Sequence, residues 1–148
     1  MRGDRLRVFF DADVLIAGAV SATGASYLLL RLTELGLLEG VTCAQVLREV
    51  ERNLEAKLPA ALPIFRALFA AANISLAPEV PAALLERLRG LAHEDDLPIL
   101  AAALVGESDY LLTFNVRHYQ APPGAITVAR PGTVMARVRR ALGQTRGV

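Results

Sequence analysis

The 148-residue chain has one cysteine, no tryptophan and two histidines, and its sixteen basic residues include a single lysine, Lys57. A lone cysteine, Cys43, excludes an internal disulfide and a multi-cysteine zinc site and fits a reducing compartment. It reads as a small core residue. The other basic residues are arginines, whose planar donors suit phosphate. The net charge is only +1, so the chain is no polycation, and any nucleic-acid contact must come from local clusters of positive charge. With aromatics at 5%, no platform for stacking bases is evident. No apolar run approaches the roughly 20 residues that cross a bilayer. Met1 to Arg5 offers no secretory apolar region either. The expectation is a soluble cytoplasmic protein with no membrane segment.

What is present is apolar: 53% of the residues are hydrophobic, dominated by Ala and Leu. That favours helices packed on a small sheet, and the length fits one well-filled domain over 1–148. The segment Arg7 to Ile16 contains an apolar run broken by Asp11 and Asp13, and it reads as a buried strand whose end meets solvent. Ala17 to Gly24 is small and turn-rich. A helix is expected over Ala25 to Leu38, carrying Leu28, Leu29, Leu32, Leu35 and Leu38 and closed by Gly36 and Gly40. Val41 to Cys43 can form a short strand. Val46, Leu47, Val50, Leu54 and Leu58 mark a second helix that Pro59 stops or kinks. A third helix over Ala60 to Ala72, a strand over Ile74 to Ala77 and a fourth helix from about Ala82 to Leu91 follow.

An acidic loop, His93 to Asp96, then leads into an apolar helix over Pro98 to Val105. Strands are expected at Tyr110 to Thr113 and Ile126 to Val128. A last helix starts at Pro131, with Val134, Val138 and Leu142 inward and Arg137, Arg140 and Arg146 outward. Short strands alternating with helices imply parallel pairing under two helical layers, a three-layer α/β/α domain with four to five short strands.

The acids carry the chemistry. Carboxylates at a core edge are costly unless a cation, a donor or a metal compensates, so Asp11 and Asp13 point to a hard divalent ion held by oxygen. Residues i and i+2 of an extended strand share a face, so both could address one site. Alternatively, one of them only turns the loop. Glu49 lies off the apolar stripe of its helix, as do Glu51 and Glu55, and a solvated face explains all three. Asp95 and Asp96 precede an almost wholly apolar helix. Either could cap it, and a cap there still points a carboxylate into the middle of the molecule. Thr113 and Asn115 end a second strand as Asp11 ends the first, and parallel neighbours would bring both to one rim. His118 reads as a structural histidine.

In order and spacing these motifs resemble the PIN-domain ribonucleases over about Arg7 to Val128. Phe9-Phe10-Asp11-Ala12-Asp13-Val14-Leu15 is similar to the first family motif, and Gln45-Val46-Leu47-Arg48-Glu49-Val50 to its helical glutamate motif. Asp95-Asp96-Leu97-Pro98-Ile99-Leu100-Ala101-Ala102-Ala103 is similar to the third acidic motif, and Tyr110-Leu111-Leu112-Thr113-Phe114-Asn115-Val116-Arg117-His118-Tyr119 to the fourth.

The resemblance implies a cluster of acids binding Mg²⁺ or Mn²⁺. Asp11, Glu49 and Asp96 would be the core ligands, Asn115 would hold the fourth position and Thr113 would be a polar support. Asp13 stands where the family usually has Asn, and Asn115 where many members carry Asp. Adjacent acids leave Asp95 open as the ligand in place of Asp96. The implied activity is metal-dependent cleavage of single-stranded RNA, with Arg117, Arg137, Arg139 and Arg140 as candidates for phosphate contacts. An antitoxin partner and a homodimer are further expectations from the resemblance. Two rivals remain. One is a haloacid-dehalogenase-like phosphatase with Asp11 as nucleophile, which would also want a downstream lysine. The other is a catalytically silent PIN-like binding module.

Overall fold

The structure, a computed structural model, describes residues 5–122 and 124–146, with side chains of the last helix as far as 143. Met1 to Asp4 and the side chain of Arg146, both interpreted above, lie outside the described residues. Five strands and seven α-helices alternate among the described residues: β1 (Leu6–Phe10), α1 (Ala12–Val20), α2 (Ala25–Glu34), β2 (Leu38–Thr42), α3 (Ala44–Lys57), α4 (Leu62–Ala72), β3 (Ser75–Leu76), α5 (Ala82–Arg87), α6 (Leu97–Val105), β4 (Tyr110–Leu112), β5 (Thr127–Ala129) and α7 (Pro131–Arg146). Short 3-10 turns at Pro59–Ala61 and Val116–His118 complete the list.

All strands run parallel in the order β3-β2-β1-β4-β5. The chain therefore steps from β1 to β2 to β3 on one side and then crosses back to β4 on the other side of β1. Right-handed crossovers put α1 to α4 on one face and α5 and α6 on the opposite face. The three-layer α/β/α expectation holds. The reversal of strand order lies between β1 and β4, where open parallel sheets form a crevice at their carboxyl ends.

Burial on both faces explains the unbroken apolar strands. Val8, Phe9, Phe10, Val41, Leu111 and Leu112 are all fully buried, with no exposed alternate face. Helix α6 is apolar nearly all round, with Ile99 to Ala103 buried, as a helix enclosed by the rest of the molecule must be. No single helix among the described residues is long and apolar enough to cross a membrane.

The structure differs from the sequence reading in several elements. The apolar residues after Asp13 do not extend the strand but form α1, in which Val14, Leu15, Gly18 and Ala19 are buried at helical spacing. Helix α2 ends at Glu34, because Gly36 adopts φ +81 and Leu37 N–H turns back to the Leu32 carbonyl at 3.0 Å. A left-handed glycine after the last turn stops a helix in this way. Leu35 is thereby left 66% exposed, while Leu38 is buried as the first residue of β2. Leu142, expected inward, is 45% exposed.

Gly40 does not close a helix but sits in mid-strand. A β-carbon there would stand 2.9 Å from Ile74, 3.0 Å from Thr33 and 3.2 Å from Phe10, so its absence lets α2 approach the sheet. Gly40→Ala should overpack this contact and lower stability by about 1–3 kcal/mol. A denaturant titration showing an unchanged midpoint would refute that packing role.

Candidate active site

The carboxyl-end rim of the β1–β4 crevice carries a small cleft of about 70 Å³ lined by Asp11, Asp13, Glu49, Asp96, Asn115, His118 and Tyr119, with Ala12 and Ile99. Residues from α1, α3, the loop before α6 and the turn after β4 thus meet at one place.

Asp11 follows the last residue of β1, where its own N–H still bonds the Leu112 carbonyl at 3.1 Å. Its backbone leaves the helical region at φ −76, ψ 164, and the side chain caps α1 by accepting from Ala12 N–H at 2.8 Å. The second carboxylate oxygen accepts from the Tyr119 hydroxyl at 3.1 Å. The group is only 7% exposed. Burial, and then the charge of Asp13, push its pKa from 3.8 to about 6, although hydrogen bonds from Ala12, Thr113 and Tyr119 pull the other way.

Asp13 sits in the first turn of α1, so the extended geometry expected from the sequence does not persist. The helix N-terminus brings the two acids together instead and favours negative charge there. Asp13 Oδ2 accepts from Phe114 N–H at 2.9 Å, Thr113 Oγ1 at 3.3 Å and Asn115 Nδ2 at 3.3 Å. This one oxygen therefore fastens the turn after β4 to α1. Thr113, fully buried, also accepts from Asn115 N–H at 3.1 Å. The two positions that depart from the family pattern, Asp13 and Asn115, contact each other directly. Asp13 Oδ1 is buried and has no hydrogen-bond partner. Burial also raises the Asp13 pKa.

Glu49 reaches the cleft from α3, and its carboxyl is raised first by burial and then by Asp96, with Arg52 opposing and Asp13 adding. Its rivals lie elsewhere: Glu51 pairs with Arg66 at 2.7 Å, and neither Glu51 nor Glu55 lines the cleft.

Of the adjacent acids, Asp96 lines the cleft and Asp95 does not. The Asp95 side chain is 92% exposed, 3.6 Å from His93, and its carbonyl accepts from Gln45 Nε2 of α3 at 3.1 Å. Asp96 occupies the capping position of α6 but makes no side-chain cap bond. Its carboxylate is thus not consumed by the helix.

A neighbouring groove of about 530 Å³ shares Glu49 and Asp96 with the cleft and adds Gln45, Arg48, Arg52, Glu94, Asp95 and Pro98. Arg117 lies in the 3-10 turn beside the cleft-lining His118. The α7 arginines are not brought to the acids. Arg137 stacks over the Tyr110 ring at 5.5 Å and hydrogen-bonds its hydroxyl, at the start of β4 and hence at the opposite edge of the sheet. Arg139 and Arg140 are exposed further along the same helix.

Sequence reasoning passed over Tyr119, Arg48 and Arg52. An i, i+4 pair of arginines flanking Glu49 on a predicted helix was a usable signal. Nothing in the sequence marked Tyr119 as a partner of Asp11, 108 residues away.

No three of the described His, Cys, Asp and Glu side chains stand close enough to enclose an ion as they are. The cleft is an open cluster of acids. That suits Mg²⁺ or Mn²⁺, hard ions that take oxygen ligands, and Mg²⁺ keeps several of its own waters and needs one or two carboxylates. Asp13 Oδ1 argues for such an ion, because a buried carboxylate oxygen without a donor is costly.

The chain matches the PIN domain family over residues 7–117. Its fold is similar to that of a chain in the crystal structure of VapBC2 from Rickettsia felis bound to a DNA fragment from their promoter. That likeness has a TM-score of 0.67 and 13% sequence identity, and it covers 84% of this chain and 98% of the other. No curated protein matches.

Holding the buried Asp11 carboxyl at about 6 rather than 3.8 costs the metal-free protein on the order of 3 kcal/mol at neutral pH. A carboxyl raised by folding contributes stability that is complete below its unfolded value and lost as pH rises through its folded value. With divalent ions chelated, stability should therefore increase as pH falls from 7 to about 4.5. Below that, Glu39 and Glu51, whose carboxyls are lowered by Arg7 and Arg66, reverse the trend. Asp11→Asn should raise metal-free stability by about 1–3 kcal/mol and flatten that pH dependence. Denaturant midpoints for both proteins at pH 5 and pH 7 in chelator test this, and a wild-type optimum at pH 7 would contradict it.

Proposed function

The chain belongs to the PIN-domain family, and from that premise we propose that it is a Mg²⁺- or Mn²⁺-dependent endoribonuclease cutting single-stranded RNA at the acidic cleft. The observation that carries this reading is the convergence of four acids from three separate segments on one rim: Asp11 and Asp13 at the start of α1, Glu49 on α3 and Asp96 before α6. Nothing in the fold requires four acids there, and the buried pair is held against its own repulsion.

Asp11 and Asp96 would hold the ion, with Glu49 and the free Oδ1 of Asp13 beside them. Asp95, exposed in the neighbouring groove and not in the cleft, would not. When bound, the dication would lower the pKa of a water aimed in line at the phosphodiester and offset charge on the departing oxygen. The chain's own residues supply the rest. The Ala12 N–H and the Tyr119 hydroxyl fix the Asp11 carboxylate, and Asp13 orders the Thr113–Asn115 turn so that the Asn115 amide faces the cleft rim.

An acidic site repels RNA, so phosphates must be met by flanking cations. Arg48 and Arg52 on α3 and Arg117 in the turn after β4 are placed to do so. Arg137, Arg139 and Arg140 are assigned no such role, because they lie toward the other edge of the sheet. The similarity to a VapBC2 chain supports a further element of the reading, that this protein is the toxin of a toxin–antitoxin pair with an antitoxin protein as partner. A homodimer belongs to the same reading, and exposed Leu35, Leu58 and Ile64 offer apolar surface for it.

The rival chemistries are less well served. A phosphatase would need Asp13 free as general acid, yet its Oδ2 already takes three donors. It would also want a lysine at the site, and Lys57 lies in the last turn of α3, outside the cleft. A silent binding module would rest on the neutral Asn115.

The test is cleavage of a labelled single-stranded RNA by the purified chain with Mn²⁺, with excess chelator, and by Asp11→Asn. We expect cutting only with the ion, and a loss of about 100-fold or more in the variant, at or beyond the cost of losing an outer partner of a metal ligand. Equal cutting in chelator, or by the folded variant, would overturn the proposal. No cutting by the wild type under any condition would favour the binding module.

A further inference from the structure

Tyr119 is 7% exposed and its ring fills a core position that phenylalanine would fill as well. Its hydroxyl donates to Asp11 Oδ2 at 3.1 Å, while Asp11 Oδ1 is already held by the Ala12 N–H. The carboxylate is thus gripped on both oxygens, and each oxygen keeps a lone pair for a further partner.

The backbone of Tyr119 does a second thing. It forms an antiparallel bridge with Ala92, and the next residue, Gln120, bonds the Leu91 carbonyl at 2.6 Å. One residue after Ala92, the His93 carbonyl accepts from Asp96 N–H at 2.8 Å and Leu97 N–H at 3.0 Å. Tyr119 therefore joins the strand end bearing Asp11 to the loop bearing Asp96, two segments far apart in the chain.

We infer that Tyr119 is a positioning residue which presets the Asp11 carboxylate, and its spacing from Asp96, for a divalent cation. The inference rests on the metal-holding role assigned to Asp11 and Asp96 above. A buried hydrogen bond that fixes the rotation of a ligating carboxylate removes an ordering cost that binding would otherwise meet, and the loss of such outer partners typically weakens metal binding about 10–100-fold.

The experiment is a calorimetric Mn²⁺ titration of wild type, Tyr119→Phe and Asp11→Asn, with circular dichroism confirming that each is folded. Tyr119→Phe should bind Mn²⁺ about 10-fold more weakly than wild type, whereas Asp11→Asn should lose the site. If Tyr119 matters only for packing, Tyr119→Phe will keep the wild-type affinity, and this inference fails while the nuclease reading stands. If wild type shows no Asp11-dependent Mn²⁺ binding, both fail. Should Tyr119→Phe be unfolded, Tyr119→Met and Tyr119→Leu, apolar and lacking the hydroxyl, take its place, and wild-type affinity in either would overturn the inference.

Discussion

A carboxylate at the end of a fully buried strand is the constraint around which this molecule is arranged. The backbone of Asp11 is tied to β4 through its N–H, and no arginine or lysine lines the cleft to share the charge of its side chain. What the chain provides instead is dipoles: the first N–H of α1 and a tyrosine hydroxyl for Asp11, and two further donors with an amide for Asp13. These offset part of the cost of burial and leave the rest for an external charge.

The topology explains why the cost falls here. Strands β1 and β4 are neighbours whose connections leave in opposite directions, so the crevice above them is the one place on the rim not closed by a crossover. The elements that reach it come from all parts of the chain. Helix α1 begins there, α3 passes beside it, and α6 starts there with an uncommitted acid at its cap position. The turn after β4 is folded back onto Asp13. The same arrangement separates the basic surface of α7 from the acids, since α7 runs from the rim at Pro131 toward the opposite edge, where Arg137 meets Tyr110.

Much of this was legible in the sequence, for identifiable physical reasons. Strands buried on both faces have to be continuously apolar, so β1 and β4 stood out, and the acids and Thr113 at their ends marked the rim. The apolar body of α6 announced a central helix. Helix α1 was not legible, because Val14-Leu15-Ile16 suits a strand as well as a helix and only the capping geometry of Asp11 decides between them. Gly40 looked like a helix stop because its need is steric, a close approach by Thr33 and Ile74 that no local pattern encodes. The choice between Asp95 and Asp96 depended on a one-residue register at the start of α6. Tyr119 and the placement of the α7 arginines are long-range facts, fixed by packing across more than a hundred residues in one case and by the direction of the last helix in the other.

The central claim is that acids from three segments share one divalent ion, and the most direct measurement is an anomalous-diffraction crystal structure of the wild-type chain soaked with Mn²⁺. The account predicts a manganese in the β1–β4 cleft with oxygens of Asp11 and Asp96 at about 2.1 Å, Glu49 beside it and Asp95 turned away. Manganese found only on Glu94 or Asp95 outside the cleft, or absent from a fully soaked crystal, would contradict it.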